Sequence, residues 1–128
     1  MSMLVRAFPL RRSIDDVRAF AAALEQRSAE TDAFYRRFGI SYESFHVQET
    51  PDGTWGIAVT VIDDAPQAGR SFAESPAKFD SWFKEQILHL TGVNLAEHPL
   101  GPPTKQVFAW ADDQRPNMDL SELARFQP

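Results

Sequence analysis

Between Tyr42 and Ile62 the chain alternates polar and apolar side chains on either side of a turn-forming group: YESFHVQET, then PDG, then TWGIAVTVI. A period of two marks half-buried strands, so the stretch predicts a β-hairpin. Pro51 presets φ at the first central position, Asp52 tolerates the second, and Gly53 suits the left-handed residue that closes a three-residue loop with a bulge. Such a loop pairs Thr50 with Thr54, and the rest of the register follows. Gln48 then faces Gly56, His46 faces Ala58 and Ser44 faces Thr60. On the other side Glu49 faces Trp55, Val47 faces Ile57, Phe45 faces Val59 and Glu43 faces Val61. The face carrying Phe45, Val47, Trp55, Ile57, Val59 and Val61 is expected in the core. The face carrying Ser44, His46, Gln48, Gly56, Ala58 and Thr60 is small and polar, and a slip of one residue would bury it.

The flanking segments read as one strand and two helical stretches before a last strand. Met3 to Leu10 (MLVRAFPL) is a strand that Pro9 ends, because proline cannot donate to a ladder. Ser13 caps a helix with Asp16 as the reciprocal carboxylate, and Ile14, Val17, Ala21 and Leu24 recur at helical spacing. This helix either continues to Phe38 or breaks near Arg27-Ser28 and restarts with Ser28 as a cap. Arg36 and Arg37 suit its negative end, and Gly39 the left-handed residue beyond it. Asp63-Asp64-Ala65-Pro66 opens a short helix. Ser75-Pro76 opens a longer one with a stripe of Phe79, Trp82, Phe83, Gln86, Ile87 and Leu90, stopped by Gly92. Four breakers between Val93 and Thr104 predict a loop, and Lys105 to Trp110 (KQVFAW) predicts a final strand.

Strand, helix, strand, strand, helix, strand is the split βαβ, ferredoxin-like order βαββαβ. It predicts an α+β domain over residues 1–110, a four-stranded antiparallel sheet with helices on one face. Residues 111–128 are expected as a tail in which Asp119 could cap a short helix. In a monomer the second sheet face is open, and the outer strands project apolar residues onto it. A half-apolar open sheet invites a partner, so a homodimer stacking two sheets into a barrel is expected.

The element order spans most of residues 3–110. On that order, the run FYRRFGISYESFHVQETPDGTW, the later FDSWFKEQ and the GPP ahead of the last strand, the chain resembles the dimeric α+β-barrel proteins. That broad group contains antibiotic-biosynthesis-monooxygenase-like and stress-responsive barrels, and more narrowly the chain looks like small uncharacterised bacterial proteins within it. Such barrels include cofactor-free oxygenases, isomerases, haem-degrading proteins and members with no known activity. The resemblance therefore implies a ligand cleft more readily than a reaction.

Candidate chemistry centres on His46. It lies mid-strand on the polar face between Ser44 and Gln48, with small residues opposite, and an imidazole titrates in the useful range. The competing reading is a histidine that merely hydrogen-bonds inside a dimer barrel. Ser44, His46, Gln48 and Thr60 are the expected ligand-binding set, with His46 the catalytic candidate. A direct Ser44–His46 dyad is not expected, since residues two apart on a strand are separated by roughly 6–7 Å. Glu43 falls on the helix side. It would have a raised pKa if buried, but is expected as an exposed carboxylate at a strand end. Trp82, Tyr35 and Phe38 suit the core. His89 and His98 read as boundary and loop residues, and the three histidines lack metal-ligand spacing. No glycine belongs to a phosphate-loop pattern. No cofactor is expected.

Composition narrows the partners. The chain has 128 residues, net charge −5 and no cysteine, which excludes disulfides and thiolate chemistry and fits a reducing cytoplasm. Residues 1–37 carry seven basic and five acidic side chains, and the remainder six basic and thirteen acidic. No concentrated basic surface of the kind nucleic acid requires results. No signal peptide is evident, and no stretch approaches the ~20 apolar residues that span a bilayer. Two functions remain. One is a barrel binding an apolar or aromatic metabolite, with cofactor-free acid/base or oxygenase chemistry. The other is a non-catalytic interaction module whose polar face is only a dimer interior.

Overall fold

A computed structural model describes residues 1–112. In chain order the elements are β1 (Ser2–Pro9), α1 (Ile14–Gln26), α2 (Ser28–Arg37), β2 (Ile40–Thr50), β3 (Gly53–Ile62), α3 (Ala65–Glu74) and α4 (Lys78–Thr91). The strands form one antiparallel sheet in the order β1-β3-β2. This is the expected α+β class, with three strands and four helices among the described residues. The tail helix expected at Asp119 lies outside them.

The hairpin forms, but one residue out of the expected register. Thr50 pairs with Gly53, so the loop is only Pro51-Asp52, and Glu43 pairs with Thr60, Phe45 with Ala58 and His46 with Ile57. The Thr50 hydroxyl explains the shorter loop. It accepts the Asp52 N–H at 3.2 Å and donates to the Gly53 carbonyl at 2.8 Å. Gly53 is drawn into the ladder at φ +132°, a conformation that costs a glycine little. Because side chains alternate, the one-residue difference turns all of β3 over relative to β2. Thr60, Ala58 and Gly56 therefore point to the helices beside Glu43, Phe45 and Val47. Trp55, Ile57, Val59 and Val61 share the outer face with Ser44, His46 and Gln48. On β1, Leu4, Arg6 and Phe8 face inward, and a Cβ at Gly56 would collide with the Phe8 ring.

The first helical stretch does break, at Arg27 (φ −101°, ψ 43°). Ser28 becomes the first residue of α2 rather than its cap. Thr31 Oγ1 donates to the Leu24 carbonyl at 2.9 Å, satisfying an acceptor at the end of α1. The Arg27 guanidinium lies 4.4 Å from the Trp82 ring centroid and pairs with Glu30. Ser13 and Asp64 cap α1 and α3 as the sequence indicates. Gly39 (φ +69°) and Gly92 (φ +79°) follow α2 and α4 in the left-handed region.

One buried cluster is wholly helical, and Leu4, Ala58, Val61 and Ile62 are buried in the sheet outside it. Phe20 and Leu24 of α1, Phe34 of α2, and Phe79, Phe83, Ile87 and Leu90 of α4 form one cluster, against which Phe45 of the sheet packs. Phe34 is its hub: its ring lies 4.9 Å from that of Phe83, 5.2 Å from those of Tyr35, Phe38 and Phe79, and 5.5 Å from that of Phe72. Fully buried Asp80 ties the helices together, accepting from Arg37 Nη2 at 2.7 Å and from Ser75 Oγ at 2.5 Å. By contrast, no residue of α3 is buried.

Residues 105–110, expected as a fourth strand, take no strand conformation. The chain reaches the free edge of β1, where the Thr104 N–H donates to the Val5 carbonyl at 2.7 Å. Beyond it Val107, Phe108 and Trp110 are 97%, 82% and 76% exposed, so among the described residues the burial that would hold a strand is missing. Truncating the aromatic hub is the sharpest test of this core. Phe34→Ala should cost ~3–5 kcal/mol of unfolding free energy, the usual range for a buried aromatic, measured by urea denaturation.

Candidate functional site

Between the inner sheet face and α3 lies a cavity of about 660 Å³. Its floor is Leu4, Arg6, Glu43, Phe45, Ala58 and Thr60, and Phe34, Phe72 and Phe83 supply aromatic walls. The loop from Leu95 to Pro103 closes one side and places Glu97 and His98 at the rim. A second depression of about 580 Å³ lies on the other flank of α3, beside Arg37, Asp63 and Asp64. It is the more open of the two.

Glu43 is the chemical centre of the larger cavity. Tyr35 Oη, from the last turns of α2, donates to Oε1 at 3.0 Å, and Thr60 Oγ1, directly across the ladder, donates to Oε2 at 2.6 Å. Burial pushes the carboxyl above the ordinary carboxylate range, against the opposing pull of the Thr60 and Tyr35 hydrogen bonds and the Arg6 charge. The Tyr35 phenol is raised too, by burial first and then by the Glu43 charge and hydrogen bond, so it stays protonated. Arg6 is lowered by burial and partly restored by Glu43, and it remains a cation at neutral pH. Its Nη1 donates to the Gly101 carbonyl. A protonatable carboxyl and a fixed cation thus sit in a mainly apolar pocket, with Thr60, Arg70, Glu97 and His98 its other polar lining, the usual composition of a small-molecule site.

The expected site residues are divided by this arrangement. Thr60 lines the cavity, whereas Ser44, His46 and Gln48 lie on the outer face, with His46 and Gln48 exposed. His46 has Ile57 opposite it rather than a small residue. The Ser44 Oγ nonetheless lies 2.9 Å from His46 Nε2. The expected separation applies to the backbone, and the imidazole arm spans it. Glu43, expected exposed, is enclosed, and Tyr35 belongs to the site as its hydrogen-bond donor. Two signals pointed here: a charged Arg6 inside the apolar run MLVRAFPL, and Glu43 in phase with Phe45. Among the described residues no cluster of three His, Cys, Asp or Glu side chains is set to hold a metal ion, and no helix is long and apolar enough to cross a membrane. No protein-family model, curated protein or solved structure matches the chain.

The Glu43 shift has a definite sign. A carboxyl that holds its proton more tightly when folded contributes stability that is complete below its unfolded pKa and is lost as pH rises through the folded one. Glu43→Gln mimics the neutral form. It should melt above the wild type at about pH 8, and the difference should close toward about pH 4, as read by calorimetric melts across that range.

Proposed function

We propose that the protein binds a small apolar or aromatic metabolite in the cavity between sheet and α3, where Glu43 supplies cofactor-free acid/base capacity. The observation that carries this reading is a protonatable carboxyl held by two hydroxyls inside a hydrocarbon-lined space of about 660 Å³. Perturbed ionisable groups in such clefts are candidates for chemistry. Ligand entry passes α3, the one helix among the described residues without a buried residue.

The assembly we propose is a dimer of ferredoxin-like units. In it residues 105–110 add a fourth strand beside β1, and two outer sheet faces stack with helices outside. The free edge of β1, the exposed Val107, Phe108 and Trp110, and the apolar row Trp55, Ile57 and Val59 support it. Ser44, His46 and Gln48 then form a polar interior between the two sheets rather than an open site.

Two measurements test these readings. Titration calorimetry with 2-naphthol should give one site per chain. Ala58→Leu, which fills the floor of the cavity, should weaken it by at least about tenfold, the scale of ~1.4 kcal/mol in binding free energy. Light scattering should give the mass of two chains at micromolar concentration, and replacing Phe108 and Trp110 with Ser should return it to one.

A further inference from the structure

We propose that the ligand of the Glu43 cavity is an apolar or aromatic monocarboxylate, with Arg6 as the residue that receives its carboxylate. This rests on the cavity being a ligand site, and names the class of molecule it takes.

The larger share of unfilled hydrogen-bonding capacity is on the donor side: about four N–H groups of Arg6 against about two lone-pair sites of Glu43. Both Glu43 oxygens already accept, one from Tyr35 and one from Thr60. Arg6 has five N–H groups. Among the described residues the guanidinium makes one hydrogen bond, from Nη1 to the Gly101 carbonyl. No ion pair within 4 Å joins it to Glu43, because β3 separates the two strands: Arg6 is level with Ala58 and Glu43 with Thr60. The cavity therefore holds a half-buried fork of donors without a matching acceptor, and planar guanidinium and carboxylate groups fit each other in two parallel bonds.

Charge selects the same class. The ionisable groups facing the space are Arg6 on β1, Glu43 on β2, Tyr35 on α2, Arg70 on α3, and Glu97 and His98 in the closing loop. An ammonium ligand would meet the Arg6 charge and compete with two hydroxyls for Glu43. A dianion such as a phosphate monoester would bring a second negative charge against the Glu43 carboxyl, with Glu97 opposing it too and exposed Arg70, already bonded to Gln67, the second cation to offset it. A single carboxylate neutralises Arg6 and leaves the aromatic walls for the rest of the molecule.

Binding then carries a proton with it. The arriving negative charge adds to the burial that already favours protonated Glu43, so the carboxyl gains a proton as the anion binds. Above the pH at which free-protein Glu43 ionises, affinity should fall by up to about tenfold per pH unit, the slope for one linked proton.

One ring system with three head groups separates the possibilities. Titration calorimetry at about pH 7 compares 2-naphthoate, 2-naphthol and 2-naphthylmethylammonium. The expected result is naphthoate at least about tenfold tighter than the other two, about 1.4 kcal/mol. Arg6→Gln, checked for folding by circular dichroism, should bring naphthoate down to the naphthol level. Repeating the wild-type titration in two buffers of different ionisation enthalpy, above the pH at which free-protein Glu43 ionises, should show net proton uptake, absent in Glu43→Gln. Naphthol binding as tightly as naphthoate would overturn the carboxylate assignment and leave the cavity reading intact. A preference for the ammonium would overturn it in favour of Glu43 as counter-ion, and no binding by any probe would overturn both. The wild-type comparison decides even if Arg6→Gln fails to fold.

Discussion

The hydrogen bond from Thr60 to Glu43 exists because the hairpin turns in two residues. One residue more in that turn, and Thr60 would lie on the opposite face of the sheet from Glu43. The carboxyl would then have one hydroxyl partner instead of two, and Val61 would occupy the space that Thr60 lines. The turn itself is closed by a single side chain, since Thr50 both accepts from Asp52 and donates to Gly53. A hydroxyl at a surface bend thus decides which side chains meet Glu43 seven ladder pairs away.

A second constraint creates the space around that carboxyl. The core residues of α1, α2 and α4 bury themselves chiefly against one another, with Phe34 at the centre of five rings. Helices satisfied in this way have less need to settle onto the sheet. The inner sheet face is correspondingly unlike a core: it mixes Leu4 and Phe45 with small Gly56 and Ala58 and with polar Arg6, Glu43 and Thr60. Small and polar floor residues under large aromatic walls leave a hollow, and its hydrocarbon lining raises the electrostatic stakes of the few polar groups inside it.

Much of the fold was legible in local pattern. Caps at Ser13 and Asp64, glycines after α2 and α4, and the apolar stripe of α4 all act within a turn or two of chain, so they read correctly. The hairpin was legible as an element and misread in register, because PDG suits both a two- and a three-residue loop and the decisive contact comes from Thr50. That error exchanged the two faces of β3 and directed attention to His46 on the outer side. Glu43 was placed on the helix side but expected to be exposed. Its enclosure depends on Tyr35, Phe72 and the 95–103 loop, which converge from distant parts of the chain. The last strand was read from apolar alternation in KQVFAW. Alternation reports what a segment prefers to bury, and among the described residues nothing lies there to bury it.

The unequal anchoring of the helices has a kinetic consequence. Local opening costs least where few apolar contacts are broken, and α3 contributes no buried residue while α1, α2 and α4 share an aromatic cluster. The roof is therefore free to breathe on a faster clock than the rest of the helical layer. Opening of α3 withdraws only the Phe72 ring from the cluster and leaves the Phe34 contacts with Phe38, Phe79 and Phe83 in place.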